Sequence, residues 1–274
     1  MSNVTPIQSA AIIPYVSGLQ LSRASTTTLT IQPGICRDST NTIDINLGNF
    51  LGANPNVAAG VVTTLNGAVK GINGLDTGTL ANNTWYAVYV IADQSGFNLP
   101  ATILSTNFTQ PGLPFPSSNP AIYPSGYSSW KRIGVALTNN VAQFSLFYQT
   151  GIGGGRSYQW DAPILALTSG TATTFTAVNL SVGVPPLSNV VYLSSLFTST
   201  LSNHLFSVRP TGSTTTSPNT GFTGSSVLNS ASSQYFPPAQ IFAPVVSGNP
   251  SVDYLVTANT DTLSLSVFGF MDSL

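Results

Sequence analysis

Most hydrolytic sites need a side chain that takes and gives a proton near neutral pH, and this chain has one histidine, His204. It lies in the strand-like stretch Asn203-His204-Leu205-Phe206, with neither a nucleophile nor an orienting carboxylate marked beside it. It therefore reads as a strand residue at a sheet edge or an interface. A glycosidase needs two carboxylates across a cleft. There is no Glu, and the eight aspartates (Asp38, Asp44, Asp76, Asp93, Asp161, Asp253, Asp261, Asp272) are scattered, mostly beside Gly, Ser, Thr or Asn as turn-forming Asp is. Calcium prefers Asp at alternate positions. The nearest approaches, Asp38 with Asp44 and Asp253 with Asp261, are too widely spaced for that. The run Gly151-Ile152-Gly153-Gly154-Gly155-Arg156-Ser157 lacks the Lys of a phosphate loop and the spacing of a dinucleotide fingerprint, so it reads as a turned connector between strands. No catalytic residue, metal or cofactor is implied, and the chain reads as non-enzymatic.

Two short charged motifs fit contacts better than catalysis. Arg37-Asp38 follows the Pro33-Gly34 turn and reads as a brace for that turn or for a subunit contact. Lys131-Arg132, the only adjacent basic pair, reads as a strand entrance or a match for an acidic partner patch.

The elements that carry these residues are set by an unusual composition. Only 5% of the 274 residues are charged, against about 25% in soluble domains, while 42% are hydrophobic. Ser, Thr and Asn take the polar positions, and they compete with helical backbone and favour strands and turns. Seven basic residues without a concentrated patch argue against nucleic acid. The 14 Phe, 10 Tyr and 3 Trp argue against a disordered chain. Cys36 is the only cysteine, so no intrachain disulfide forms. No apolar run reaches the ~18–20 residues of a membrane helix, and the opening MSNVTPIQSAAIIPYVSG has no basic n-region, which predicts a chain made in the cytoplasm without a cleaved leader. A surface this neutral has little charge repulsion and suits burial against other subunits.

Strand patterns recur along the chain. Thr27–Gln32 and 43–47 alternate, Trp85–Ala92 is apolar on both faces, and Ala142–Gln149 is aromatic. Further windows follow at 175–182, 190–197, 204–209, 252–258 and 262–270. A helix is expected only at 58–70. Two long Pro/Gly/Ser-rich loops are expected, 110–126 and 210–238, the first holding Leu113, Phe115, Ile122 and Tyr123. Six of the seven basic residues precede Trp160-Asp161-Ala162-Pro163, which places a boundary near 160. The expected fold is all-β: two β-sandwich, jelly-roll-like domains over 1–160 and 161–274.

The order of Gly18-Leu19-Gln20-Leu21-Ser22, Thr28–Ile31, Pro33–Ser39, Trp85–Asp93, Trp130–Gly134 and Gln149–Tyr158 resembles tailed-bacteriophage structural proteins of the tail, fibre or head-decoration kind, over roughly residues 15–160. The resemblance implies a virion component, a homotrimer that packs against capsid or tail protein, without catalytic residues. The chain lacks a coiled coil, a collagen-like repeat or a long shaft, so a compact decoration, cement or tail-attached protein fits better than a fibre. The residues expected at interfaces are Arg37, Asp38, Trp85, Tyr86, Tyr89, Phe115, Tyr123, Lys131 and Arg132. The alternative is a receptor- or carbohydrate-binding module, with a host surface glycan held by Phe115, Tyr123 and Tyr127 or by Phe222, Tyr235 and Phe236.

Overall fold

The structure, a computed structural model, describes residues 15–49, 60–95, 98–112, 126–151, 154–200, 204–214 and 239–274. Among these the chain is all-β, with eighteen strands and no helix. In chain order they are β1 (Val16–Gly18), β2 (Leu21–Arg23), β3 (Thr28–Ile31), β4 (Gly34–Arg37), β5 (Asp44–Leu47) and β6 (Thr63–Asn66). Next come β7 (Gly74–Leu75), β8 (Trp85–Asp93), β9 (Ala101–Ser105), β10 (Tyr127–Leu137), β11 (Phe147–Thr150) and β12 (Gly155–Gly170). The last six are β13 (Thr176–Asn179), β14 (Ser188–Thr198), β15 (Phe206–Pro210), β16 (Ala239–Pro244), β17 (Ser251–Val256) and β18 (Thr262–Ser273).

They form four sheets. The largest has the order β16-β14-β18-β12-β11-β2-β3-β6, and a four-stranded sheet has the order β10-β8-β9-β7. Two three-stranded sheets, β1-β4-β5 and β13-β17-β15, complete the set. All pairings between named strands are antiparallel except β7 with β9. One apolar core draws on all four sheets, through residues such as Cys36, Val88, Val208 and Phe270.

The double-sided apolar pattern of β8 has a direct structural cause. Tyr86, Val88, Val90 and Ala92 face the main core, while Ala87, Tyr89 and Ile91 face a second cluster with Ala101, Ile103 and Tyr127. The strand is central in its sheet and is covered on both faces. β18 shows the other pattern: Leu263, Leu265 and Val267 point inward, and Thr262, Ser264 and Ser266 outward.

Residue 160 falls within β12, so the chain passes it as strand rather than linker. The largest sheet joins strands from either side of that point. The helix expected at 58–70 is corrected over its described residues: Thr63–Asn66 is strand β6, paired with β3. The β-branched run Val61-Val62-Thr63-Thr64 prefers a pleated surface. The strand expected from Ala142 begins only at Phe147, because Ala142 turns at φ 55° and Phe144 is held by an isolated bridge to Thr138. The cores of the two expected long loops, residues 113–125 and 215–238, lie outside the described residues.

Candidate interaction surface

The scarce charges are mostly engaged inside the fold. Arg37 and Asp44, partners across β4 and β5, form an ion pair at 2.6 Å. Arg209 pairs with Asp253 at 3.1 Å and lies 3.7 Å over the Phe175 ring. Arg132 pairs with Asp272 at 2.6 Å and also donates to the Ser273 carbonyl. Asp38 closes a turn by accepting from the Thr40 hydroxyl at 2.5 Å, the Thr42 amide at 2.6 Å and the Ile43 amide at 3.1 Å. Burial works against its charge, yet these donors outweigh burial and hold the carboxyl below its ordinary value. Asp93 is held down by donors from Ser95 and Asn98.

With the charges committed there, a patch on one face of the largest sheet carries none. Three rows cross β12, β18, β14 and β16 on the outward side. They read Ser157–Met271–Val190–Pro244, Gln159–Gly269–Tyr192–Phe242 and Leu165–Ser266–Ser194–Gln240. Every position is apolar or uncharged. At the centre the rings of Tyr192 and Phe242 lie 5.2 Å apart, and Phe268 joins them at 5.8 and 6.5 Å. Phe268 reaches this face because the ladder skips it, pairing Tyr192 with Gly269 and Leu193 with Val267. Phe242 and Leu165 are each 54% exposed, and Leu196 and Met271 extend the patch. Contiguous apolar surface of this kind marks interaction sites. Aromatic rings suit the role because they present large rigid area at low entropic cost.

A separate groove opens where the same sheet is weakest. β11 and β2 share a single residue pair, Tyr148 with Ser22, and the Gln149 side chain takes over part of the ladder by accepting from the Leu21 amide at 2.7 Å. The opening has a volume of about 380 Å³ and is lined by Gln20, Gln32, Thr150 and the exposed ring of Tyr148. The Tyr148 hydroxyl donates to Asp161 at 3.1 Å, which fixes the ring.

The residues expected at interfaces are placed as follows. Tyr86 and Tyr89 are buried within the chain, because β8 is covered on both faces. Trp85 is half-buried, packs on Trp160 and Phe270 with centroids 5.7 Å away, and donates to the Ser181 carbonyl. Arg37, Asp38 and Arg132 serve the internal contacts above, and Lys131 is half-buried on β10. Phe115 and Tyr123 lie outside the described residues, as do Phe222, Tyr235 and Phe236; Tyr127 is buried and donates to the Leu99 carbonyl at 2.7 Å.

His204 has the orienting carboxylate that its sequence neighbourhood does not show. Its Nδ1 lies 2.8 Å from Asp261, 57 residues onward, and Asp261 is fully buried. Asp261 also accepts from the Ala258 amide at 2.9 Å, so the pair joins the start of β15 to the β17–β18 turn. The calcium candidates separate into different contacts: Asp44 with Arg37, Asp253 with Arg209, and Asp261 with His204. No helix among the described residues is long and apolar enough to cross a membrane.

No protein family, curated protein or solved structure matches this chain.

Proposed function

We propose that the chain is a non-enzymatic structural component of a bacteriophage particle, which packs against copies of itself as a homotrimer and against capsid or tail protein. The carrying observation is the uncharged patch on the outer face centred on Tyr192, Phe242 and Phe268. An antiparallel sheet that faces water normally places polar and charged side chains there. A neutral face meets a second copy without stranding a charge, which is costly unless paired. Apolar burial, at roughly 25 cal/mol per Å², supplies the drive. The phage context rests on the order of motifs over residues 15–160.

Light scattering on a size-exclusion column tests the self-packing. A mass near three times 28.5 kDa is expected for the wild type. Phe242→Asp, at an exposed position, is expected to give 28.5 kDa with an unchanged far-ultraviolet circular dichroism spectrum. A wild type that stays monomeric at high concentration overturns this reading.

The groove between β2 and β11 supports a second reading, capture of a neutral host glycan. Its amides and hydroxyls match sugar hydroxyls, and the Tyr148 ring offers a stacking face. Glycan-array signal that disappears in Tyr148→Ala supports it, and an array without signal above background removes it.

A further inference from the structure

Tyr148 stands between two clefts on one face of the largest sheet. Tyr148 on β11 pairs with Gln159 on β12, and Asp161 follows two residues on, so all three project outward. Their neighbours Phe147 and Trp160 are buried on the opposite side. On one flank lies the groove where β11 and β2 share a single pair, rimmed by the exposed Gln20, Gln32 and Thr150. On the other flank the ladder loosens. The Asp161 amide still donates to the Leu146 carbonyl at 3.2 Å, but the pairing of β12 with β18 skips from Gln159 to Ile164. A second cleft of about 210 Å³ opens there, lined by Ser145, Leu146, Asp161, Ala162 and Ile164.

The Tyr148 ring links the two. It lines the first groove, is 55% exposed, and its hydroxyl donates to Asp161 in the second at 3.1 Å. Ligand pockets usually measure roughly 300–1,000 Å³. At about 380 Å³ the first groove falls within that range, and at about 210 Å³ the second falls short. The second cleft is therefore an extension of the first rather than a site of its own. Its polar groups suit hydroxyls: the Asp161 carboxylate accepts from them, and the Ser145 hydroxyl gives or accepts. Asp161 is the one charged side chain lining either cleft among the described residues. The Gln149 side chain holds the Leu21 amide, so an inserted peptide strand finds that donor taken.

We infer that the two clefts form one extended site for an unbranched neutral oligosaccharide, which stacks one ring on Tyr148 and places the rings before and after it in the two clefts. The inference rests on the glycan reading of the β2–β11 groove and extends it. Asp161 sets the selectivity. It accepts from sugar hydroxyls, and its charge repels uronic and other acidic sugars. A chain longer than one sugar gains from both clefts at once, so affinity rises with length until both are filled.

The test is a glycan array carrying unbranched neutral oligosaccharides of increasing length, each beside a uronic-acid counterpart. Wild-type signal is expected to rise from monosaccharide to trisaccharide and to be absent from the acidic counterparts. Ala162→Trp, an exposed substitution that fills the second cleft, is expected to weaken trisaccharide binding by roughly tenfold and to leave monosaccharide binding unchanged. Asp161→Asn keeps an acceptor for the Tyr148 hydroxyl and is expected to admit the acidic chains, a gain that a misfolded variant cannot show. Signal that is independent of length, or that Ala162→Trp leaves intact, overturns the extended site while the groove reading stands. An Asp161→Asn variant that still rejects the acidic chains overturns it in the same way. An array without any signal overturns both.

Discussion

Arg132 and Asp272 stand 140 residues apart in the chain and meet at 2.6 Å, joining β10 of the four-stranded sheet to the last residues of β18 in the eight-stranded one. Asp272 is wholly buried, and burial pushes its carboxyl up against the opposing pull of Arg132. Arg132→Met leaves that carboxylate buried without its cation and is expected to cost about 3–5 kcal/mol in urea unfolding. Arg132→Met combined with Asp272→Leu is expected to recover much of the loss, because the stranded carboxylate is then removed as well. An acid with a raised folded pKa stabilises fully below its ordinary value of 3.8 and loses that stability as pH rises through the raised value. The single variant is therefore expected to gain relative to the wild type as pH falls toward 4. A constant gap across pH would contradict the assignment.

Asp38 has the opposite sign. Its folded pKa is held below 3.8 by the Thr40 and Thr42 hydroxyls and the Thr42 and Ile43 amides. Its stabilisation is present above 3.8 and is lost as pH falls through the lowered value. Asp38→Ala is expected to be less stable than wild type at neutral pH by about 1–3 kcal/mol, since four donors lose their acceptor. The gap is expected to shrink in acid below 3.8, which thermal melts across pH will read directly.

Gly134 and Tyr158 form a tight steric relation between the two large sheets. A Cβ at Gly134 would lie 2.3 Å from the Tyr158 hydroxyl and 2.8 Å from Leu21 Cδ1. That hydroxyl accepts from the Val135 amide at 2.9 Å and from Gln149 Nε2 at 2.6 Å, so it is not free to move. Gly134→Ala is expected to cost about 1–3 kcal/mol through overpacking. Tyr158→Phe is expected to cost about 1–3 kcal/mol by removing the acceptor. The double variant is expected to fall short of the sum by more than about 0.5 kcal/mol, because removing the oxygen makes room for the new methyl. Strict additivity in urea titrations would show that the contact is not shared.

These relations mark what the amino-acid order revealed and what it concealed. The strands at 43–47, Trp85–Ala92 and Thr262–Phe270 were readable, because period-two alternation and continuous apolar runs are local signals. β12 was read only as a strand following the glycine run; its continuation past Trp160 was not, because Asp161-Ala162-Pro163 marks a boundary in the sequence. The missing amide of Pro163 costs little there, since the ladder with β18 skips from Gln159 to Ile164. The outer face was hidden for a different reason. Tyr192, Phe242 and Phe268 become neighbours only through the strand order β16-β14-β18 and a bulge, and no local period encodes strand order. Asp261 likewise reaches His204 from 57 residues away. The charged motifs were visible as motifs, but the inward role of Arg132 required Asp272.

Cys36 offers a check on how tightly the four-sheet core is closed. Its side chain is fully buried between β1 and β5, opposite Val16 and Ile45. Burial pushes the thiol up to about 12, and Lys131 opposes that only partly. Because the thiolate is the reactive form, an aromatic disulfide reagent at mildly alkaline pH is expected to leave the native protein unlabelled. In guanidinium the one thiol is expected to react at the rate of free cysteine. Cys36→Ala is expected to be tolerated better than Cys36→Ser, since the hydroxyl enters an apolar site at about 1–3 kcal/mol. Rapid labelling of the native protein would mean that β1, β4 and β5 open from the core far more readily than their packing implies.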